Sequence, residues 1–212
     1  MTRERTMALC FAAGSVCFLV GPFPGYENLV GPGADAVTFF AGSVLFTLGG
    51  ALQVSLAAGG PRAAWWAAVV QSAGTLCFNV TTYRAMDVAL SSSDYDRLVW
   101  RPDAIGSVCF LVSGVIAYRA SGGDGWQPAV NLLGCVFFGI AAIAGYVVPS
   151  SGSLLDLAAA NWNTSLGAAC FLSCALASLF PLSSRRYDRV DPPAHRDHPD
   201  ILERGRAGRA HP

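Results

Sequence analysis

Two aspartates are the carboxylates most open to a chemical interpretation, because each stands at the edge of a long apolar stretch. Asp35 precedes one such stretch, and Asp103 begins another within the string WRPD. An acid at the start of a helix is stabilised by the positive end of the helix dipole, so the pattern favours a helix-start role for both. The alternative for Asp103 is a proton-coupled carboxylate.

Amide side chains form the second polar set within the apolar stretches. Gln71 and Asn131 each stand three residues before a glycine of a repeated motif, and Asn163 stands four before its own, so we expect all three near one rim of the helices. Amides between membrane helices usually bond neighbouring helices, at about 0.6 kcal/mol each. We therefore take Gln71, Asn79, Asn131 and Asn163 as interhelical hydrogen-bonding residues, with a polar path as the alternative.

The cysteine and histidine positions predict no reactive or metal-binding site. All seven cysteines fall inside apolar stretches, where cysteine behaves as a small packing residue. Cys170 and Cys174 share a helix face, yet no histidine or acid is near them in sequence. We expect no catalytic residue, no metal, no cofactor and no enzymatic activity.

The composition is typical of an integral membrane protein. Hydrophobic residues make up 53% of the 212 residues and charged residues 13%, half the usual charged fraction of a soluble domain. Six apolar segments lie at about 7–21, 35–57, 62–83, 103–120, 127–148 and 158–181. Every basic residue is arginine, which with abundant Ala and Gly is typical of a GC-rich bacterial genome, and we expect a bacterial inner-membrane protein. The net charge of zero gives no attraction to nucleic acid.

One heptapeptide, GSVCFLV, occurs at 14–20 and again at 106–112, and its skeleton recurs once in each apolar segment. The six copies begin at Gly14, Gly42, Gly74, Gly106, Gly134 and Gly167. Successive glycines are 28, 32, 32, 28 and 33 residues apart. This spacing predicts an all-α fold of six transmembrane helices, built as two three-helix repeats over 1–87 and 97–182. Because three is odd, the second repeat enters the membrane inverted.

The glycine of each copy is predicted to be a helix-packing residue. Lipid tails are as apolar as leucine, so membrane helices associate through close contacts that small residues permit. The phenylalanine four residues later lies on the same face and can fill the space left by a neighbouring glycine.

The ends of the chain set the predicted topology. Residues 183–212 hold seven arginines, five acids and little to bury, which predicts a disordered cytoplasmic tail after a transmembrane domain over 1–182. Arginine placement favours both termini in the cytoplasm. The first segment is short and follows Arg3 and Arg5, so a cleaved signal peptide is the rival to a retained helix.

The segments RPDAIGSVCFLVSG, WWAAVVQSAGTLCFNVTTY and NWNTSLGAACFLSCAL resemble the YrhK-like domain family of small bacterial membrane modules. The resemblance covers most of residues 8–182 and implies membrane helices without catalytic residues or a defined activity.

Two functions follow from these patterns. The favoured one is a structural or scaffolding helix bundle in the inner membrane, without catalysis, whose partner is the lipid bilayer and whose pattern is compatible with a homo-oligomer. The alternative is a small-solute transporter or channel built on the inverted repeat, with Gln71, Asn131 and Asn163 near its path.

Overall fold

The computed structural model describes residues 1–87 and 90–180, and all regular secondary structure within them is helical. The predicted tail over 183–212 lies outside the described residues. The described part also contains one isolated bridge, which joins Val147 and Leu154 in the connection between the last two helices.

Six long helices carry the fold, accompanied by two short helices and one π-helical turn. In chain order they are α1 (Arg3–Val20), α2 (Tyr26–Val30), α3 (Pro32–Ala57), α4 (Arg62–Ala85), α5 (Ser92–Tyr95), the π-turn (Asp96–Trp100), α6 (Arg101–Ala120), α7 (Gln127–Ala144) and α8 (Leu157–Leu179).

Local sequence explains where these helices begin. The hydroxyl of Thr2 accepts a hydrogen bond from the Arg5 amide at 3.3 Å and caps α1, and the Asp156 carboxylate caps α8 through the Ala159 amide at 2.9 Å. Gly31 adopts φ +85° directly before Pro32, so the chain turns sharply into α3. Asp35 lies in the first turn of α3, as the sequence predicts.

Asp103 lies in the first turn of α6, as the sequence predicts, but α6 continues from helical backbone that precedes it. Ser91 caps α5, and helical backbone then continues without a break from Ser92 to Ala120. Within it, the Arg101 amide bonds to the Asp96 carbonyl five residues earlier, which widens one turn directly before Pro102. About three turns of helical backbone therefore precede Asp103, and the free amides at the start of the continuous helix are at Ser92.

The long helices form a closed ring in chain order. Each packs against the next, in the order α1, α3, α4, α6, α7 and α8, and α8 packs back against α1. Paired contacts show that neighbours are antiparallel: Gly74 meets Gly106 near the helix centres, while Ser113, later in α6, bonds to Ala67, earlier in α4. The N-terminal segment α1 is thus part of the ring.

The ring does not confirm the predicted inverted relationship between 1–87 and 97–182. The two exact heptapeptides, in α1 and α6, do run in opposite directions, as an inverted repeat requires. However, rotation by 180° about an axis in the membrane plane changes a clockwise order of helices, seen from one side, into an anticlockwise order. Such an axis cannot superimpose α1, α3 and α4 on α6, α7 and α8 in chain order, because both sets follow the ring in the same sense.

Four of the described helical segments are long and apolar enough to cross a membrane. They are Pro32–Ala57, Ser92–Ala120, Gln127–Ala144 and Leu157–Leu179. The sequence predicts six spans. The two remaining ring helices are more polar: α1 opens with Arg3, Glu4 and Arg5, and α4 carries an arginine in its first turn and another in its last.

Candidate functional site

The repeated motif has one environment in all six helices. In every copy the glycine, the residue after it and the phenylalanine are buried. The six phenylalanines are Phe18, Phe46, Phe78, Phe110, Phe138 and Phe171. Because one pattern of burial recurs around the ring, each helix turns its motif face toward the interior.

The glycines join the helices in three pairs. A Cβ atom added to Gly14 on α1 would lie 2.9 Å from the Gly42 carbonyl oxygen on α3, and one added to Gly42 would lie 2.8 Å from the Cβ of Cys17. Real Cβ atoms essentially never approach other heavy atoms this closely. The α1–α3 contact therefore needs a residue without a side chain at both positions.

The same reciprocal contact recurs in the α4–α6 and α7–α8 pairs. A Cβ on Gly74 would lie 2.9 Å from the Gly106 oxygen, and a Cβ on Gly106 would lie 3.1 Å from the Gly74 oxygen. A Cβ on Gly167 would lie 3.0 Å from the Gly134 oxygen. The local unit of packing is thus an antiparallel helix pair that occurs three times around the ring.

The six phenylalanines meet across the centre of the ring. Phe18 on α1 contacts Phe138 on α7 with ring centroids 5.9 Å apart, although these helices are not neighbours in the ring. Phe46 on α3 likewise reaches Phe171 on α8, at 5.9 Å and in an edge-to-face arrangement. Aromatic contacts between helices two places apart in the ring therefore converge on its central axis.

Hydroxyl groups connect one helix pair to the next. Ser43, directly after a motif glycine, bonds to Thr82 at 2.8 Å across α3 and α4. Ser107 on α6 donates to the Phe138 carbonyl on α7 at 3.3 Å, and Ser165 on α8 donates to the Leu19 carbonyl on α1 at 3.2 Å. These bonds satisfy hydroxyls that lipid could not, and they complete the ring between the glycine pairs.

Two of the four predicted amides bond between helices. The Asn79 side chain on α4 donates to the Thr47 hydroxyl on α3 at 2.8 Å, and the Gln71 oxygen on α4 accepts from the Ser113 hydroxyl on α6 at 3.3 Å. The Asn163 side chain instead donates to the Ala159 carbonyl of its own helix at 2.8 Å.

The amides do not gather at one rim. Asn131 is partly buried on α7, which runs in the same direction as the α4 helix of Gln71. Because α8 runs antiparallel to α7, Asn163 lies toward the opposite end of the ring. The expectation of a common rim counts residues from the motif but ignores the direction of the helix, and the structure separates Asn163 from Gln71 and Asn131.

A cavity of about 290 Å³ lies at the end of the ring where α1, α4 and α7 end. Phe18, Phe78 and Phe138, the motif phenylalanines of those three helices, contribute to its wall. None of the four predicted amides lines it. Its polar side chains come from other positions: Tyr95, Asp103, Asn161 and three threonines, Thr81, Thr82 and Thr164.

The π-turn builds one side of this cavity. The Trp100 indole nitrogen donates to the Ala142 carbonyl on α7 at 2.8 Å, and the Thr81 hydroxyl on α4 donates to the Val99 carbonyl at 3.0 Å. Trp100 also packs edge-to-face against Tyr146 with centroids 4.9 Å apart. The turn is therefore anchored to two helices, and it turns Tyr95 and Trp100 toward the cavity. From the sequence alone, these two aromatic residues are expected at the lipid headgroups.

Asp103 carries the one carboxyl group among the described residues that line the cavity. Other carboxylates make the two ion pairs found within 1–87 and 90–180: Asp94 pairs with Arg97 at 3.7 Å, and Asp96 pairs with Arg101 at 3.1 Å. The WRPD string is the available signal for this site, because Pro102 has no amide hydrogen and interrupts the regular hydrogen-bond ladder directly after the turn.

The described residues contain no group of three or more His, Cys, Asp or Glu that could hold a metal ion. The seven cysteines are free thiols, and Cys135 is buried in the central cluster beside the phenylalanines.

Comparison of the chain with protein-family models, curated proteins and solved structures found no match. The function proposed below therefore relies on the residues and contacts of this chain.

Proposed function

We propose that the chain is a six-span, multi-pass bundle of the bacterial inner membrane with a structural role, and that it neither catalyses a reaction nor conducts solutes. Four helical segments meet the length and hydropathy of membrane spans. The proposal extends this to α1 and α4, because each forms the same glycine contact with an apolar partner helix.

Arginine placement supports the orientation with both termini in the cytoplasm. Arg3, Arg5, Arg62 and Arg119 belong to the end of the ring where α1 and α4 begin, whereas Arg84, Arg97 and Arg101 belong to the cavity end. The excess of arginine at the first of these ends favours it as the cytoplasmic face.

The central phenylalanine cluster is the observation that carries the non-conducting role. Phe110 is 2% exposed, and its ring contacts Phe46, Phe78, Phe138 and Phe171 from four other helices. A solute moving along the axis would have to displace several packed rings at once. Interiors of this kind rearrange between discrete packings and do not deform freely.

The transporter remains the alternative, and the cavity at one end of the ring is the observation that favours it. The ring order removes one argument for it, because a substrate site between inverted repeats depends on that symmetry. The predicted amides also lie outside the cavity wall. The resemblance to the YrhK-like family and self-association into a homo-oligomer stay predictions.

The test is solute flux into proteoliposomes that contain the purified full-length chain. Glycerol, alanine and potassium entry would be measured by light scattering or ion-selective dye, with protein-free vesicles as the baseline. We expect the rates of the two preparations to agree for all three solutes.

A saturable flux that depends on the protein would contradict the non-conducting role and favour the transporter. Matched variants would then locate its path: Phe110→Ala enlarges the centre of the ring, whereas Phe180→Ala removes a ring that is 72% exposed.

A further inference from the structure

We propose that the cavity at the Asp103 end of the ring binds a small organic ammonium ion that carries an apolar group. This goes beyond the structural role, which does not require a ligand. The observation behind it is the combination of one carboxylate with an otherwise uncharged, aromatic wall in the interior of a membrane bundle.

The carboxylate is the first argument. A charge removed from water is costly unless it is paired, and charged residues inside membrane proteins are usually functional for that reason. Among the described residues, the cavity wall holds no arginine or histidine, and the ion pairs nearest in sequence are made by Asp94 and Asp96. A cation is the ligand class that would stabilise the ionised form of Asp103.

The aromatic wall is the second argument, and it selects an organic cation. Tyr95, Trp100 and Phe39 line the cavity together with the motif phenylalanines Phe78 and Phe138. The faces of aromatic rings attract ammonium groups, most strongly where water is excluded. A divalent metal would need several oxygen ligands, and the wall offers one carboxylate beside an amide and hydroxyl groups.

The size of the cavity limits the ligand. At about 290 Å³ it lies at the lower end of the range for small-molecule pockets. The hydroxyls of Thr81 and Thr82 already donate to the Val99 and Phe78 carbonyls, so these groups keep only acceptor capacity toward a ligand. Acceptors together with a carboxylate suit a positively charged donor of modest size.

The experiment is a calorimetric titration of benzyltrimethylammonium into the full chain in phosphatidylglycerol nanodiscs. Wild-type protein is expected to bind the probe, and benzyl alcohol, which shares the ring but lacks the charge, is expected to bind at least tenfold more weakly. Asp103→Asn should weaken probe binding tenfold or more, because it keeps the shape and removes the charge.

Two further variants make the result specific. Asp35→Asn removes the carboxylate in the first turn of α3, which is not among the residues that line the cavity, and should leave binding unchanged. Asp103→Glu keeps the charge and should retain most of the affinity. Thermal unfolding of each variant in the same nanodiscs would establish that it is folded.

A second arm distinguishes a lipid from a soluble amine. If phosphatidylethanolamine added to the nanodiscs competes with the probe, the ammonium source is a lipid headgroup; if it does not, the ligand is a soluble amine. Both outcomes support the ammonium site. The proposal would be overturned if wild-type protein failed to bind the probe, if Asp103→Asn bound it equally well, or if benzyl alcohol bound as tightly. None of these results would bear on solute flux, so the structural role is tested separately.

Discussion

The middle of the ring is formed by a repeated motif, whereas its cavity end is formed by residues outside that repeat. The middle repeats one solution six times: a glycine in contact with a neighbouring helix, a small residue and a phenylalanine at the axis. The cavity end is built once, from the π-turn, one aspartate and an asparagine that have no counterparts in the other described helix pairs. The repeated motif packs the helices together, and the residues outside the repeat form the cavity proposed to bind a ligand.

This contrast predicts where stability resides. The repeated layer should be intolerant of any added atom, because four of its six glycines face a backbone oxygen that cannot move aside. The cavity end should tolerate the loss of its charge, because a carboxylate without an ionic partner in the described wall contributes little to folding.

The largest expected effect is at a repeated glycine. Gly74→Ala places a methyl group 2.9 Å from the Gly106 oxygen and 2.8 Å from the Phe110 ring, so we expect a loss of roughly 1–3 kcal/mol in unfolding free energy. Denaturant titration of the purified protein in mixed micelles measures it.

The matched control is Gly33→Ala. Gly33 lies in α3, and a methyl group attached there would have no other atom within 4 Å, so the same chemical change should cost nothing at this position. Equal losses for the two variants would show that the glycine contacts do not hold the ring together.

A much smaller effect, of opposite sign, is expected at the cavity. Asp103→Asn removes a charge that faces an apolar cavity, so the unfolding free energy should stay unchanged or rise by up to about 1 kcal/mol. The same titration measures it, and a loss comparable to that of Gly74→Ala would mean that Asp103 is a structural residue and would weaken the contrast between the two regions.

The sequence predicts the layer of repeated motifs better than it predicts the cavity end of the ring. The positions of the long helices follow from apolar segments and turn residues, and each motif glycine lies at a contact between helices because only a residue without a side chain fits there. Those features are local, or recur often enough to be recognised.

Other features depend on which helices become neighbours, and periodicity carries no information about that. The closed ring, the pairing of α1 with α8 and the separation of Asn163 from Gln71 are of this kind. The sequence does not predict the π-turn for a related reason. Its widened geometry depends on Pro102 and on the hydrogen bond from Trp100 to the distant Ala142 carbonyl.

The most direct test of the account is chemical cross-linking of the first and last long helices, because a ring around a phenylalanine centre exists only if they meet. In a cysteine-free background, Phe23→Cys, three residues beyond the end of α1, with Trp162→Cys on α8 replaces two rings whose centroids lie 5.9 Å apart. Phe40→Cys with Tyr83→Cys, at 5.8 Å across α3 and α4, is the matched control. With a short bifunctional thiol reagent in native membranes, the account predicts efficient cross-linking within one chain for both pairs. Cross-linking of the control pair alone would show that α1 and α8 are apart, and would contradict the closed ring.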